Sequence, residues 1–338
     1  MTPVSSAPAA ATPALNAALA RTAALYDRVK RVVPPADWAL FVDDVEAILA
    51  LKRSRNAIIL GHNYQTPEIF HGVADIVGDS LALARAAATA DADVIVLAGV
   101  HFMAETAKLL NPDKTVLMPD LAAGCSLAES ITPADVRAMR AAYPGVPIIA
   151  YVNTSAAVKA EVDICCTSGN ARRVVEALGA PRVIMLPDQY LAANVAAETG
   201  VEIISWPGAC EVHERFTADD IRELREAHPG VSVLVHPECP PEVVAQADFA
   251  GSTAALADYV SRERPEQVVL LTECSMSDNV AVLHPDIDFV RPCNLCPHMK
   301  RITLANIRQA LEQNRHVVDI APDVAGRARA AVDRMLAL

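Results

Sequence analysis

The sequence predicts an α/β protein built from three αβα domains related by a pseudo-threefold axis, each with a short parallel sheet, and with an active site at their common interface. Three observations carry this expectation. Cys125, Cys210 and Cys296 lie 85 and 86 residues apart, and seven residues after each comes a threonine: Thr132, Thr217 or Thr303. Apolar, β-branched runs of the kind found in buried parallel strands recur at matching places before each cysteine. Between those runs the pattern is helical, as in βα units. A chain that repeats itself at such a period is read as a triplicated unit.

The elements follow in order. Residues 1–36 are an N-terminal extension. Its Pro/Ala/Ser/Thr-rich stretch, to about residue 14, is read as disordered, and helices are expected over 15–31 and 37–53. The units span 37–145, 146–230 and 231–338, the last carrying a C-terminal helix. Each opens with a strand that ends in polar residues, AIILGHNY (57–64), PIIAYVN (147–153) and VSVLVHPE (231–238). A small hydroxyl residue follows at a helix start: Ser80, Ser168 or Thr253. A second strand comes next (94–99, 182–188, 267–273), and a third leads into the cysteine loop. The threonine then caps a helix. Asp135, Asp220 or Asn306, three residues on, completes a capping box, and Ile131, Phe216 or Ile302 before the cap staples onto Val136, Ile221 or Ile307. Pro-Gly pairs at 144–145 and 229–230 end the first two of these helices; the third lacks the pair.

Composition narrows the function. A hydrophobic content of 52% in 338 residues is ample for buried cores, and the net charge of -12 argues against nucleic acid or an anionic membrane as partner. No apolar run is long enough to span a membrane. The start, MTPVSSAPAAATPALNAALA, has neither a basic head nor an apolar core, so no secretory signal is read and a cytoplasmic location is expected. Eight cysteines in that compartment are read as reduced thiols, ligands rather than disulfides.

In parallel sheets ligands bind beyond the carboxyl ends of the strands, and the unusual polar residues collect there. Taken singly, Cys125, Cys210 and Cys296 would each read as a small buried apolar residue. As equivalent positions of a triplicated unit they read instead as three thiolates meeting at one point, an open metal or cluster site. Spacing does not choose between zinc and one iron of a [4Fe–4S] cluster. Cys293 could pair with Cys296 on oxidation, whereas Cys239 and Cys274 are expected to pack, and the adjacent Cys165 and Cys166 do not suit one metal. His62 and His236 occupy matching strand ends, and His213 follows Cys210 by three. Histidine moves protons near neutral pH. Glu238, two residues after His236, suits a general base, and Tyr64 a proton donor. Ser80, Ser168 and Thr253 would aim hydroxyls and helix N-terminal amides at the axis, an arrangement that favours carboxylates and phosphates. Lys108 and Lys159 are expected in solvent, and Lys300 at the pocket or in solvent.

Together these segments resemble the quinolinate synthases. The resemblance rests on GHNYQ (61–65), GDS (78–80), GVHFMAETAK (99–108), GCSLA (124–128), YVNTSA (151–156), TSGNA (167–171), LPDQYLAAN (186–194), WPGACEVHERF (206–216), HPEC (236–239), GST (251–253) and CPHMKRITL (296–304), and it runs from about residue 37 to 320. It implies a [4Fe–4S] cluster on Cys125, Cys210 and Cys296 with one open iron. It also implies condensation of iminoaspartate with dihydroxyacetone phosphate to quinolinate, in the aspartate route to NAD. An L-aspartate oxidase would be the upstream partner. By the same resemblance, substrate contacts fall to His62, Tyr64, Ser80, Tyr151, Asn153, Ser168, His213, His236, Glu238 and Thr253, with Glu238, Tyr64, His236 and His213 catalytic. The Ala/Pro-rich extension has no counterpart in the family pattern. Rival readings are a three-thiolate zinc lyase or hydrolase, a redox-sensing cluster protein acting through Cys293 and Cys296, and a binding module for phosphorylated metabolites.

Overall fold

The computed structural model describes residues 12–338. Residues 1–11, most of the stretch expected to be disordered, lie outside the described residues. Thr12 caps the first helix, Pro13–Arg21, by accepting the Leu15 amide. Helices Ala23–Val29 and Pro35–Ser54 complete the lead-in.

Three four-stranded parallel sheets follow. The first holds β1 (Ala57–His62), β2 (Ile76–Gly78), β3 (Val94–Ala98) and β4 (Thr115–Leu117). The second holds β5 (Ile148–Tyr151), β6 (Ile164–Cys166), β7 (Arg182–Leu186) and β8 (Glu202–Ser205). The third holds β9 (Ser232–Val235), β10 (Phe249–Ala250), β11 (Gln267–Leu271) and β12 (Asp288–Val290). Each has the same order, β2-β1-β3-β4, β6-β5-β7-β8 and β10-β9-β11-β12. The central strands are buried on both faces by helices. Ile59, Ile95, Ile149, Ile184, Val233 and Val269 have no exposed surface, which is why these strands read as unbroken apolar runs.

The repeat extends to single hydrogen bonds. Asp75, Asp163 and Asp248 stand just before the edge strands. Their carboxylates accept the amides of Ile59 (2.8 Å), Ile148 (2.8 Å) and Val233 (2.7 Å), equivalent residues of the first strand in each unit. All three capping boxes form. Thr132, Thr217 and Thr303 accept the amides of Asp135, Asp220 and Asn306, whose side chains accept the threonine amides in return. The staples close as expected: Ile131, Phe216 and Ile302 are buried, and Val136, Ile221 and Ile307 are wholly so. Gly145 and Gly230 take positive φ (79° and 88°) after the first two capped helices; Asn314 (51°) does this for the third.

These capped helices join the units into a ring. Helix Pro133–Ala142 packs on Ala156–Lys159 of the second unit, and Ala218–Ala227 packs on Pro241–Val244 of the third. Leu304–Gln313 returns to the first unit and packs along Pro35–Ser54. The C-terminal helix, Pro322–Leu336, seals the outside of the second unit against β6 and helix Ala156–Lys159. The carboxyl ends of the central strands face the ring's centre. Among the described residues no helix is long and apolar enough to cross a membrane.

Candidate active site

Every site residue singled out from the sequence lines one cleft at that centre, about 710 Å³ including its open mouth. The first unit contributes His62 and Tyr64 after β1, Ser80 at a helix start, and Cys125. The second contributes Tyr151 and Asn153 after β5, Ser168, Cys210 and His213; the third contributes His236 and Glu238 after β9, Thr253 and Cys296.

The three cysteine loops are built alike. Each sulfur accepts backbone amides from the residues two and three further on: Leu127 and Ala128 for Cys125, Val212 and His213 for Cys210, His298 and Met299 for Cys296. Successive amides pointing at one atom form a cradle for negative charge. Burial pushes Cys125 up to about 12 and raises Cys210 and Cys296 as well; the amide bonds pull the other way. All three thiols are free. Half-buried thiols in anion cradles at one cleft fit a metal or cluster that would hold them as thiolates. The loops are laced together: the Glu211 amide donates to Ser126 Oγ, Asn294 Nδ2 donates to Val212 O, and His298 pairs with Glu211 at 3.0 Å.

Beside the sulfurs lies Glu238, buried in contact with His213 and Tyr151. His213 Nδ1 is 2.8 Å from one Glu238 oxygen and 3.1 Å from Cys210 Sγ, and the Tyr151 hydroxyl donates to the other Glu238 oxygen. Among the described residues, Cys210, His213 and Glu238 form the one group of such donors whose ligand atoms lie within 4.8 Å of one another. Burial alone would raise the Glu238 carboxyl. The facing imidazoles of His236 and His213, with hydrogen bonds from His213 and Tyr151, outweigh it and hold the group well below the usual carboxylate range. Burial also lowers His62 and His236 to about 3, against the pull of Glu238, so both are neutral near pH 7. Tyr64 and Tyr151 are pushed well above the phenol range by burial and by Glu238. A continuous path of hydrogen bonds results. Tyr64 Oη meets Thr272 Oγ1 at 2.6 Å, Thr272 meets His213 Nε2 at 2.9 Å, and His213 leads through Glu238 to Tyr151.

The rest of the wall supplies neutral donors. Ser80 and Thr253 are the first residues of helices Ser80–Thr89 and Thr253–Glu263, not their caps. Asp79 and Ser252 perform the capping, which leaves both hydroxyls free to face the cleft. Asn63 Nδ2 orients Thr253 Oγ1 (2.8 Å), and Ser168 Oγ meets His236 Nε2 (3.2 Å). Asn153 Oδ1 is buried with no partner, an orphaned acceptor on the cleft wall. Among the described residues lining the cleft there is neither lysine nor arginine.

Several expectations are corrected. Lys159 is wholly buried rather than solvated, and Lys108 is largely covered, donating to Pro112 O and Lys114 O. Cys293 pairs with Cys274, not Cys296, with their Cα atoms 4.8 Å apart; the turn after β11 brings Cys274 against the third cysteine loop. Lys300 faces neither cleft nor open solvent. It holds Tyr64 O (2.7 Å), Ser275 Oγ (2.6 Å) and the fully buried Glu273 (2.9 Å). Sequence reasoning did not single out Thr272, Glu273, Glu211 or His298. The polar TEC run directly after β11 was the available signal for the first two.

Comparisons with known proteins agree with this architecture. A family model described as quinolinate synthetase A protein matches residues 46–337. Quinolinate synthase 1 of Mesorhizobium japonicum is 78% identical over 322 residues, 95% of this chain and 99% of that protein. Quinolinate synthase of Agrobacterium fabrum is 77% identical over 314 residues, covering 93% and 91% of the two chains. That of Xylella fastidiosa is 74% identical over 298 residues, 88% of each.

Proposed function

The chain belongs to the quinolinate synthase family, and from that premise we propose that it condenses iminoaspartate with dihydroxyacetone phosphate, releasing phosphate and water, to form quinolinate. The observation that carries the reading is the convergence of one cradled cysteine from each unit on the cleft that holds Glu238. Cys125, Cys210 and Cys296 would hold a [4Fe–4S] cluster. When bound, it would supply one open iron as a Lewis acid toward a substrate oxygen, easing loss of hydroxide without redox change. Its breadth also suits the site. One zinc, with sulfur at about 2.3 Å, would draw three sulfurs to within about 4 Å of one another, and these three do not form so tight a group.

The chain's own groups would do the rest. Substrate carboxylates and phosphate meet Ser80, Ser168, Thr253, Asn153 and the neutral ring nitrogens of His62 and His236, with helix N-termini behind Ser80 and Thr253 supplying partial positive charge. Glu238, buried and held ionised, removes the carbon-bound proton for enolisation. His213, at one Glu238 oxygen, passes that proton on, while Tyr151, donating to the other oxygen, holds the carboxylate in place. Tyr64, protonated at neutral pH and joined to His213 through Thr272, donates to a carbonyl or leaving hydroxyl. Closure of the cleft excludes water, which would otherwise hydrolyse the imine. An L-aspartate oxidase supplying that imine, and a cytoplasmic location, belong to the same proposal.

The test is an anaerobic assay for quinolinate from the two substrates with reconstituted protein. Formation of the product supports the reading, and its absence with a fully loaded protein overturns it. The tight Cys210, His213 and Glu238 group favours a second reading, a single zinc there with Cys125 and Cys296 idle. Metal analysis of anaerobically purified protein separates the two: iron with sulfide for the first, zinc alone for the second.

A further inference from the structure

In each unit a short helix follows the first strand, and the three helices end on Phe70, Lys159 and Val244. Two of these equivalent positions carry apolar side chains, so the shared fold does not call for a lysine there. Lys159 has no exposed surface. Burying an ammonium is costly unless specific partners hold it. Its Nζ donates to Val152 O at 2.8 Å and to Thr154 O, and it lies 5.4 Å from the centre of the Phe102 ring. Glu105, the carboxylate whose charge reaches it, is bound instead to the Ala156 amide at 2.9 Å. Val152 and Thr154 flank Asn153, and Phe102 lines the cleft.

The matching turns of the other units are held differently. His62 Nδ1 accepts the Tyr64 amide (3.2 Å), and His236 Nδ1 accepts the Glu238 amide (3.4 Å). The equivalent residue of the second unit is Tyr151, which has no ring nitrogen and sends its hydroxyl across to Glu238. The turn after it has lost the histidine clamp, and Lys159 gathers both carbonyls around Asn153 from behind.

We infer that Lys159 is a positioning residue for the reaction: by holding the carbonyls on both sides of Asn153 it fixes Tyr151 and Asn153 at the wall, so that the second unit receives a dicarboxylate. This rests on reading the cleft as the reaction site. Replacing the ammonium while keeping the chain length, Lys159→Met, removes clamp and charge together. Lys159→Gln keeps a donor without the charge.

Three readouts on anaerobic, cluster-loaded protein test it. Pyridine-2,3-dicarboxylate binding, by calorimetry, should weaken about tenfold or more in Lys159→Met, the scale of a hydrogen bond to a charged group. Turnover should fall roughly 30-fold at saturating substrate, as misplacement behind a reacting centre does. Amide exchange over residues 151–155 should quicken about tenfold, marking local loosening, while iron content stays at the wild-type level. Lys159→Gln should recover part of the protection and less of the affinity. Unchanged exchange and affinity in Lys159→Met would overturn the inference, as would loss of activity only in step with lost iron. Failure of both variants to fold would assign Lys159 to the scaffold alone and also overturn it. A wild-type protein that makes no quinolinate would sink the proposed reaction, yet the exchange comparison would still be readable.

Discussion

Replacing Lys300 with methionine isolates the clasp that ties the third cysteine loop to the first unit. Lys300 is the cationic partner of Glu273, whose side chain has no exposed surface; the carboxylate also accepts the amides of Ser275 and Cys296. Breaking a buried pair on one side costs about 3–5 kcal/mol when the remaining charge cannot escape. Glu273 can escape by taking up a proton. An ordinary glutamic acid needs about 3.7 kcal/mol for that at pH 7, and burial already raises Glu273, against the pull of Lys300 and of its hydrogen bonds. The expected loss at pH 7 is therefore about 3 kcal/mol. With an unfolding entropy of roughly 0.7 kcal/mol/K for 338 residues, the midpoint should drop by about 4 °C. The sign of the pH dependence follows. A carboxyl whose folded pKa is raised loses stability as pH climbs from its unfolded to its folded value, and removing Lys300 widens that window. At pH 5.5 protonation is about 2 kcal/mol easier, so the penalty should shrink to about 1 kcal/mol. Glu273→Gln with Lys300→Met, which keeps an acceptor for the Ser275 and Cys296 amides without the charge, should recover most of the loss. Calorimetry of wild type, Lys300→Met and the double variant at both pH values decides. A pH 7 loss under 1 kcal/mol, or one equal at the two pH values, would refute the reasoning.

Glu238→Gln should keep pyridine-2,3-dicarboxylate affinity within a few-fold while turnover falls by about 10³, the scale of removing a general base; equal loss of both would make Glu238 a binding group only. Acidification of metal-free protein should destabilise it from about pH 6.5 downward. There the unfolded histidines take up protons, while His62 and His236, held near 3, do not. Each adds a slope of up to about 1.4 kcal/mol per pH unit, and Glu238, held ionised below its unfolded value, adds to the same trend under about pH 4.5. Urea titrations between pH 7 and 5 check this. His62→Gln with His236→Gln should flatten the curve, and an unaltered slope contradicts the assignment.

Much of this architecture was legible because it is written three times. Thr132, Thr217 and Thr303 mark the same helix start, and a local rule for caps suffices to find them. The central strands announce themselves through apolar runs. The edge strands Ile76–Gly78, Ile164–Cys166 and Phe249–Ala250 are too short for any periodicity to show. Their aspartates, Asp75, Asp163 and Asp248, would have marked them had the repeat been followed there. Lys159 was misplaced because a lysine in a short helix reads as solvated. Its burial depends on carbonyls of the preceding turn and on a ring from another unit. Cys274 and Cys293 meet across 19 residues, a pairing that no spacing rule contains. The cleft residues were found through their strand ends. Thr272, which joins Tyr64 to His213, went unnoticed because a threonine carries no chemical signature of its own.

Mössbauer spectroscopy of iron-57-loaded, anaerobic protein, with and without quinolinate, tests most directly whether one thiol from each unit shares a single cluster and leaves a vacancy for the reactant. The account predicts about four irons per chain, three alike and one distinct, with only the distinct iron shifting when quinolinate is added. Four equivalent irons indifferent to ligand, or zinc with no iron at all, would contradict it.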